Sequence, residues 1–397
     1  MKIMIFTTEP FPNGYAATNR IISYCYGLRK NYVDVLVIST RLNPICSDEN
    51  YKFIDGIKII SFKVNKKLIN KIINRIFKYI SPICFLLVFI TQLVVNKMDA
   101  VIFYGTHRFY ETMICSLCKI FKVISLKEES EHPSVLIPSN HSFLSNDIFY
   151  IRERYKKYDG ILAMTNQLCS YFQEIISDKR KIKLIPQTVI SQRFEHISYF
   201  DDIKFKRYIA YSGSLSEKKD GLISLIRSFK IVNQKYPDIG LVLVGFGTSK
   251  QIQLVNNKIS ELELNSMTQI YLNLAIYQIQ SILYNADLLV SARPYSIQAL
   301  YGFPTKIAEY LATGKPLVTT AYGDLKDYLI NGVNAFIVES SNYIIFANKI
   351  IEILDNYDKA IEIGKKGKEL AINSFNPTKQ AKMIIDFISE LRIWKKY

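Results

Sequence analysis

At 397 residues the chain exceeds what one hydrophobic core usually supports, so two domains are expected. With 49% hydrophobic and 22% charged residues it is a globular and not a disordered sequence. Lys and Arg number 51 against 35 Asp and Glu, and the formal charge of +16 favours anionic partners such as nucleotides or acidic lipid headgroups. No RNA- or DNA-binding motif and no GxxxxGK[ST] phosphate loop is present, which argues against nucleic acid.

The opening MKIMIFTTEP carries one Lys and a short apolar run closed by Thr7-Thr8. That run is too short for a signal-peptide core and is expected to be a buried strand, 2–7. A helix over 16–29 and a strand over 33–39 follow, then irregular, hairpin-like sequence. Further strands are expected at 100–104, 122–127, 160–165 and 183–185, with helices at 108–121 and 167–177. Such alternation implies a parallel sheet covered by helices. All six cysteines (Cys25, Cys46, Cys84, Cys115, Cys118, Cys169) lie in this half. Cys115 and Cys118 form a C-x-x-C inside an apolar helical pattern with no second pair, which favours reduced thiols over a zinc site.

A less regular, charged stretch, 192–206, separates this half from a second alternation: strand 207–211, helix 221–235, strand 240–244, helix 250–262, strand 270–272 and helix 277–285. Two Rossmann-like, doubly wound α/β halves joined by a linker place a ligand in a cleft at strand C-terminal ends. A last helix is expected over 378–396.

Residues 286–325 read ADLLVSARPYSIQALYGFPTKIAEYLATGKPLVTTAYGDL. An apolar strand (288–290) runs into a polar loop, and Gly302-Phe303-Pro304-Thr305 opens a helix. The helix carries Lys306 and Glu309, stops at Gly314 before Pro316, and leads to a strand at 317–320. Pro in the first turn and Gly just past the end are the usual punctuation of a helix of about ten residues. The amides and partial positive charge at its start suit a phosphate. Glu309 lies five positions beyond Pro304, about 7–8 Å along the axis at 1.5 Å per residue. A diphosphate on the helix start would leave a ribose near that carboxylate, which can accept hydrogen bonds from vicinal hydroxyls.

The string ARP…GFPTKIAEYLATGKPLV resembles the donor-site block of family-4 glycosyltransferases, retaining enzymes of the GT-B fold. The subgroup it most resembles includes bacterial enzymes of capsule and other surface-polysaccharide assembly. The resemblance implies an acceptor-binding domain at 1–190, a nucleotide-sugar-binding domain at 205–375, and a terminal helix, 376–397, that crosses back to the first domain. It implies no cofactor and no metal, and the chain contains no Asp-x-Asp.

Several residues acquire expected roles by register with that family. Tyr211-Ser212-Gly213-Ser214-Leu215, followed by Ser216-Glu217-Lys218-Lys219-Asp220-Gly221, resembles the G-x-L…K-[DG]-G loop in which an Arg or Lys pair neutralises the leaving diphosphate. Lys219 takes that position. The Arg common after the glycine is Ser214 here, so its contact is lost or comes from elsewhere, Arg293 being the candidate. Read without the resemblance, Lys218-Lys219 is a solvated turn. Gly245-Phe246-Gly247 matches a V-G-x-G in which small residues let the backbone approach a ligand. The stretch 272–275 borders the nucleobase by analogy. Many members carry an E-x7-E pair; Glu309 matches the second Glu and Tyr301 stands in place of the first, with Gln298 as a neutral substitute. Pro10 to Arg20 resembles the family's glycine loop, with Gly14 as its glycine and Arg20 a turn into the helix, facing either the cleft or solvent. Glu128-Glu129-Ser130-Glu131-His132-Pro133 ends a strand on the acceptor side. There Glu131 and His132 are the first candidates, Glu128 the next, and His107 the runner-up.

Between Asp55 and Asp99 there is no acidic residue, and seven basic residues from Lys58 to Lys78 precede the apolar run 80–95. The run contains Pro82, Thr91 and Gln92 and is short for a membrane span. It is either a helix buried in the first domain or a basic amphipathic helix on anionic lipid, bringing a lipid-linked acceptor to the cleft.

The expected protein is therefore a retaining glycosyltransferase. It moves a sugar from a nucleotide-sugar donor, a UDP-sugar in preference, to a saccharide or lipid-linked saccharide acceptor in surface-polysaccharide biosynthesis. Its place is cytoplasmic or peripheral on the inner face of the cell membrane, with an anionic membrane surface as a partner through 58–95. The alternatives are a GT-B sugar-nucleotide epimerase and a non-catalytic sugar-nucleotide- or lipid-binding relative.

Overall fold

The structure is a computed structural model that describes residues 1–43, 54, 56–63, 71–136, 152–195, 197, 199–340 and 342–395. It divides into two compact units, one of Met1–Thr188 with Pro377–Tyr397 and one of Val189–Asn376.

Among the described residues the first unit is built on seven parallel strands: β1 (Lys2–Thr7), β2 (Asp34–Asn43), β3 (Lys58–Lys63), β4 (Ala100–Tyr104), β5 (Ile124–Glu129), β6 (Gly160–Ala163) and β7 (Ile182–Leu184). Their order is β3-β2-β1-β4-β5-β6-β7, so the sheet reverses direction of travel between β1 and β4. Among the described residues the unit's helices include α1 (Ala16–Lys30), α2 (Lys71–Val95), α3 (Arg108–Ile120) and α4 (Asn166–Ile175). All of β4 and β5, and β1 beyond Lys2, are buried, as expected of strands covered on both faces. On one face Phe6 meets Phe85 and Phe89 of α2 and Tyr110 of α3, with ring centroids 5.3–6.4 Å apart.

The hairpin-like reading of the sequence after Ser39 is corrected here. β3 pairs parallel to β2, from Leu36 opposite Lys58 to Asn43 opposite Lys63. The run 80–95 belongs to α2, whose Phe85, Phe89 and Leu93 are buried while Ile83, Leu87, Val94 and Val95 are exposed. Among the described residues no helix is long and apolar enough to cross a membrane. Cys46, Lys66 and Lys67 lie outside the described residues, and the side chains of Lys63, Lys71, Arg75 and Lys78 lie outside the described side chains.

The second unit repeats the plan with β8 (Arg207–Ser214), β9 (Ile239–Phe246), β10 (Thr268–Leu272), β11 (Leu288–Ser291), β12 (Leu317–Thr320) and β13 (Phe336–Val338). Its parallel sheet runs β10-β9-β8-β11-β12-β13, reversing between β8 and β11. Around it lie α5 (Glu217–Asp220), α6 (Leu222–Lys235), α7 (Ser249–Glu261), α8 (Ile276–Asn285), α9 (Ile297–Tyr301), α10 (Thr305–Thr313), α11 (Leu325–Tyr328), α12 (Tyr343–Asp355) and α13 (Tyr357–Ser374). The chain then enters α14 (Pro377–Trp394), which belongs to the first unit and packs along α1. That packing is close: a Cβ on Gly27 would lie 2.1 Å from the Pro377 carbonyl oxygen, and Asn31 Nδ2 donates to the Thr378 carbonyl at 3.0 Å.

The stretch 192–206, expected as a linker, is part of the second unit. A 3-10 turn, Ser191–Phe194, buries both Arg193 and Phe194 and packs against α10 and α8. Its charge density suggested solvent exposure, but the guanidinium is taken inside.

Candidate functional site

In the second unit the strand ends at the reversal point gather the residues expected to meet a phosphate. β8 ends in Gly213-Ser214 beside β9, and a Cβ on Gly245 would lie 1.9 Å from the Gly213 carbonyl oxygen. Tyr211 donates its hydroxyl to the Ser214 carbonyl at 2.7 Å, which fixes the turn out of the strand. Ser216 then caps α5 by accepting from the Lys219 amide. Gly221 follows at φ +67, a conformation glycine adopts without steric cost.

Lys306, in the first turn of α10, points into this corner. Its ammonium lies 2.9 Å from the Asp220 carboxylate, 3.1 Å from the Tyr211 hydroxyl and 4.3 Å from the centre of that ring. Gly213, at φ +152, leaves room for it: a Cβ there would come within 2.3 Å of Lys306 Nζ. Burial pulls the Lys306 ammonium below its ordinary range, the Arg293 and Lys219 charges push the same way, and Asp220 opposes them. Burial would raise the Asp220 carboxyl, but Lys306 and then Arg293 more than offset it and hold it below the usual carboxylate range. Arg293 is buried, and its carbonyl accepts from the Thr320 hydroxyl at 2.6 Å. Lys219 is exposed. Lys306 and Arg293 thus act on one buried carboxylate while the exposed Lys219 acts on Lys306, an excess of positive charge that attracts an anion.

α10 begins just after Gly302-Phe303-Pro304. Pro304 precedes its first turn in extended geometry and supplies no side-chain cap, and a helix start leaves amides that its own turns do not use. Phe303 is a core residue, its ring stacked edge-on to Tyr328 and Phe375 at 5.8 and 5.1 Å, so it anchors the corner. The backbone, not that ring, is what the turn offers a ligand. On the next turn Tyr310 locks α10 to β8, accepting from the Ser212 amide at 2.6 Å and donating to the Ser212 carbonyl at 3.2 Å. Glu309 beside it is half-buried. Arg193 acts on it from the 3-10 turn below: burial brings that guanidinium down to about 10, and the Glu309 carboxylate opposes the fall. Sequence reasoning missed Arg193 and Asp220, because a charge in a polar loop reads as solvated.

In the first unit, Gly14 packs so tightly on α1 that a Cβ would lie 2.1 Å from Thr18 Oγ1, which itself donates to the Pro10 carbonyl. Two residues expected to meet an acceptor, Arg20 and Glu128, are turned inward. Arg20 and Glu128 are each about 2% exposed and form an ion pair at 2.5 Å. Arg20 also donates to the carbonyls of Ile185 and Pro186 at 2.8 and 3.0 Å. Ser130 donates to Glu128 at 2.9 Å and meets the Tyr104 hydroxyl at 3.0 Å, so the pair braces the exit of β5. Glu131 and His132, just beyond, remain half-buried. His132 Nδ1 lies 2.7 Å from the Ser134 hydroxyl, its ring packs edge-on to Tyr171 at 4.4 Å, and burial lowers its pKa below the ordinary 6.5. His107, exposed at the start of α3, follows the neighbouring strand β4 and stacks on Tyr110. Among the described residues no group of His, Cys, Asp and Glu is arranged to hold a metal.

Comparison with known proteins adds to this geometry. Residues 200–370 match the family model described as glycosyl transferases group 1, a segment that contains the whole cation cluster and Glu309. The chain is 22% identical over 260 residues to trehalose synthase of Thermococcus litoralis, covering 60% of each chain, so it spans less than two thirds of that relative. It is also 22% identical over 305 residues to an uncharacterized glycosyltransferase, MJ1069, of Methanocaldococcus jannaschii, covering 72% of this chain and 74% of the other. Among solved structures it is similar to Anabaena HepE in complex with UDP and glucose, at 16% identity and a TM-score of 0.72 over 98% of this chain and 99% of that one. It is similar to the same degree to sucrose-phosphate synthase of Thermosynechococcus elongatus, at 14% identity and a TM-score of 0.72. The class of the molecule is therefore the two-domain α/β fold called GT-B, as expected from the sequence.

Proposed function

We propose that this protein is a nucleotide-sugar-dependent glycosyltransferase whose donor site is the corner between β8, β11 and α10. One observation carries the reading: Lys219, Arg293 and Lys306 gather beside the start of α10, while Glu309 lies one turn further along the same helix. A diphosphate on the helix start and the cations leaves its ribose within reach of Glu309. Arg293 takes the place of the arginine that Ser214 replaces. The donor is a UDP-sugar, in keeping with the UDP bound by Anabaena HepE.

The acceptor hydroxyl is oriented by Glu131 and His132, with His107 beside them on the adjoining strand end. Transfer is retaining: the bond from the anomeric carbon to the diphosphate oxygen breaks, the acceptor oxygen bonds to the same face of that carbon, and the acceptor proton passes to the leaving phosphate. The positive corner stabilises the charge that develops on the diphosphate. The acceptor is a saccharide or lipid-linked saccharide of a surface polysaccharide. The protein works at the cytoplasmic face, with the exposed apolar side of α2 and the basic residues before it resting on anionic lipid. Flotation with anionic vesicles, lost in Leu87→Gln, tests that placement; equal flotation of the variant contradicts it.

The reaction is tested by incubating the protein with UDP-, GDP- and ADP-sugars and saccharide acceptors and following products by NMR. Acceptor-dependent release of nucleoside diphosphate with an unchanged anomeric configuration supports the reading. Release of an epimer without acceptor would make the protein an epimerase, and binding with no turnover under any pairing would make it a binding protein.

A further inference from the structure

The partnership of Asp220 with Lys306 has no place in the transfer itself. An ammonium is a costly group to bury, and a base taken from water loses its proton more readily. Lys306 is largely enclosed and has Arg293 and Lys219 as like-charged neighbours. The groups acting on it from the elements packed around it are Asp220 and Lys219 on α5, Tyr211 on β8 and Arg293 after β11, while Tyr310 on α10 feels the Asp220 charge. Asp220 supplies the principal opposing charge. It is buried to 3% exposure, sits 2.9 Å from Lys306 Nζ, and is fixed by its place at the end of α5 just before the left-handed Gly221.

We propose that Asp220 is a positioning residue of the diphosphate site, holding the Lys306 ammonium in place and protonated under Gly213 so that an enclosed lysine serves as an anion ligand. This rests on the donor-site reading above. Three cations and one carboxylate leave a net charge of two positive, equal and opposite to the diphosphate of a nucleotide-sugar. Removing Asp220 would increase the formal positive charge, yet Lys306 would then shed its proton within the working pH range.

The test is calorimetric titration of UDP into wild type, Asp220→Asn and Asp220→Asn/Lys306→Arg between about pH 7 and pH 9, where the terminal phosphate, with a second pKa of about 6, is ionised. Wild-type affinity should vary less than about threefold across the range. Asp220→Asn should lose about tenfold or more between the two ends, as expected of a buried lysine that has lost its counter-charge. The double variant should restore the flat profile, because an arginine stays charged. A loss in Asp220→Asn that is equal at every pH, or that Lys306→Arg does not flatten, overturns the proposal and leaves Asp220 a structural residue. Asp220→Ser carries the same expectation should Asp220→Asn not fold. NMR titration of labelled lysine in the nucleotide-free protein reads Lys306 without a ligand. Its midpoint should fall by one pH unit or more when Asp220 is neutralised, and an unchanged midpoint overturns the proposal even if no nucleotide binds. Absence of UDP binding to wild type instead counts against the donor-site reading.

Discussion

The buried guanidinium of Arg193 and the half-buried carboxylate of Glu309 attract one another inside the second unit, across the contact between a 3-10 turn and α10. The proposed ribose ligand therefore has a countercharge behind it before any nucleotide arrives. Arg193→Met removes that charge while keeping much of the volume. Burial already disfavours the charged guanidinium, and Glu309 is half-exposed to water, so unfolding free energy should not fall by more than about 1 kcal/mol, while nucleotide binding weakens several-fold. Urea denaturation and calorimetry check the two effects; unchanged affinity would separate Arg193 from the site.

Arg20 and Glu128 give a contrasting case. Both are enclosed and paired at 2.5 Å, so Glu128→Leu strands a guanidinium and should destabilise the protein by about 3–5 kcal/mol. Arg20→Met/Glu128→Leu should recover much of that loss. Denaturation curves of the two variants decide it: equal or greater loss in the double variant would contradict the assignment of the pair as a structural brace.

Gly213 and Gly332 both have positive φ, at +152 and +72, but only the first is crowded. An alanine Cβ at 213 would press on Lys306 Nζ at 2.3 Å, whereas at 332 it meets nothing within 4 Å. Gly332→Ala should cost about 1 kcal/mol of backbone strain and leave nucleotide affinity unchanged. Gly213→Ala should displace Lys306 and weaken nucleotide binding by about tenfold or more. Similar affinities for the two variants would contradict the place given to Lys306.

Burial lowers the pKa of His132, so its imidazole is neutral at pH 7 and able to accept a hydrogen bond from an acceptor hydroxyl. kcat/KM for transfer should fall as pH drops through a midpoint below the ordinary 6.5, as the imidazole gains its proton. His132→Gln should remove that acid limb along with much of the activity. An unchanged limb in the variant would assign it to another group.

Strands such as Ala100–Tyr104 and Leu317–Thr320 were legible because a buried parallel strand is a short apolar run between turn residues. The corner at Gly302–Glu309 was legible because proline, glycine and helix periodicity mark it locally; Gly314 does take the left-handed conformation, at φ +77. The pairing of β3 with β2 was not, since the register between distant strands is not written in either one. The ion pair of Arg20 with Glu128 was not legible, because residues 108 apart in sequence give no sign that they will neutralise each other. Asp220 and Arg193 escaped for the same reason: composition tells whether a residue is charged, and only the fold tells whether its counter-ion is buried beside it.

The most direct test of the central claim is calorimetric titration of UDP, GDP and ADP, free and as sugar conjugates, into wild type and Glu309→Ala. The account predicts tight binding of one nucleotide, UDP, weakened tenfold or more in the variant, about 1.4 kcal/mol. Failure of every nucleotide to bind the wild-type protein would contradict the transferase reading, and equal binding by Glu309→Ala would show that the donor ribose lies elsewhere.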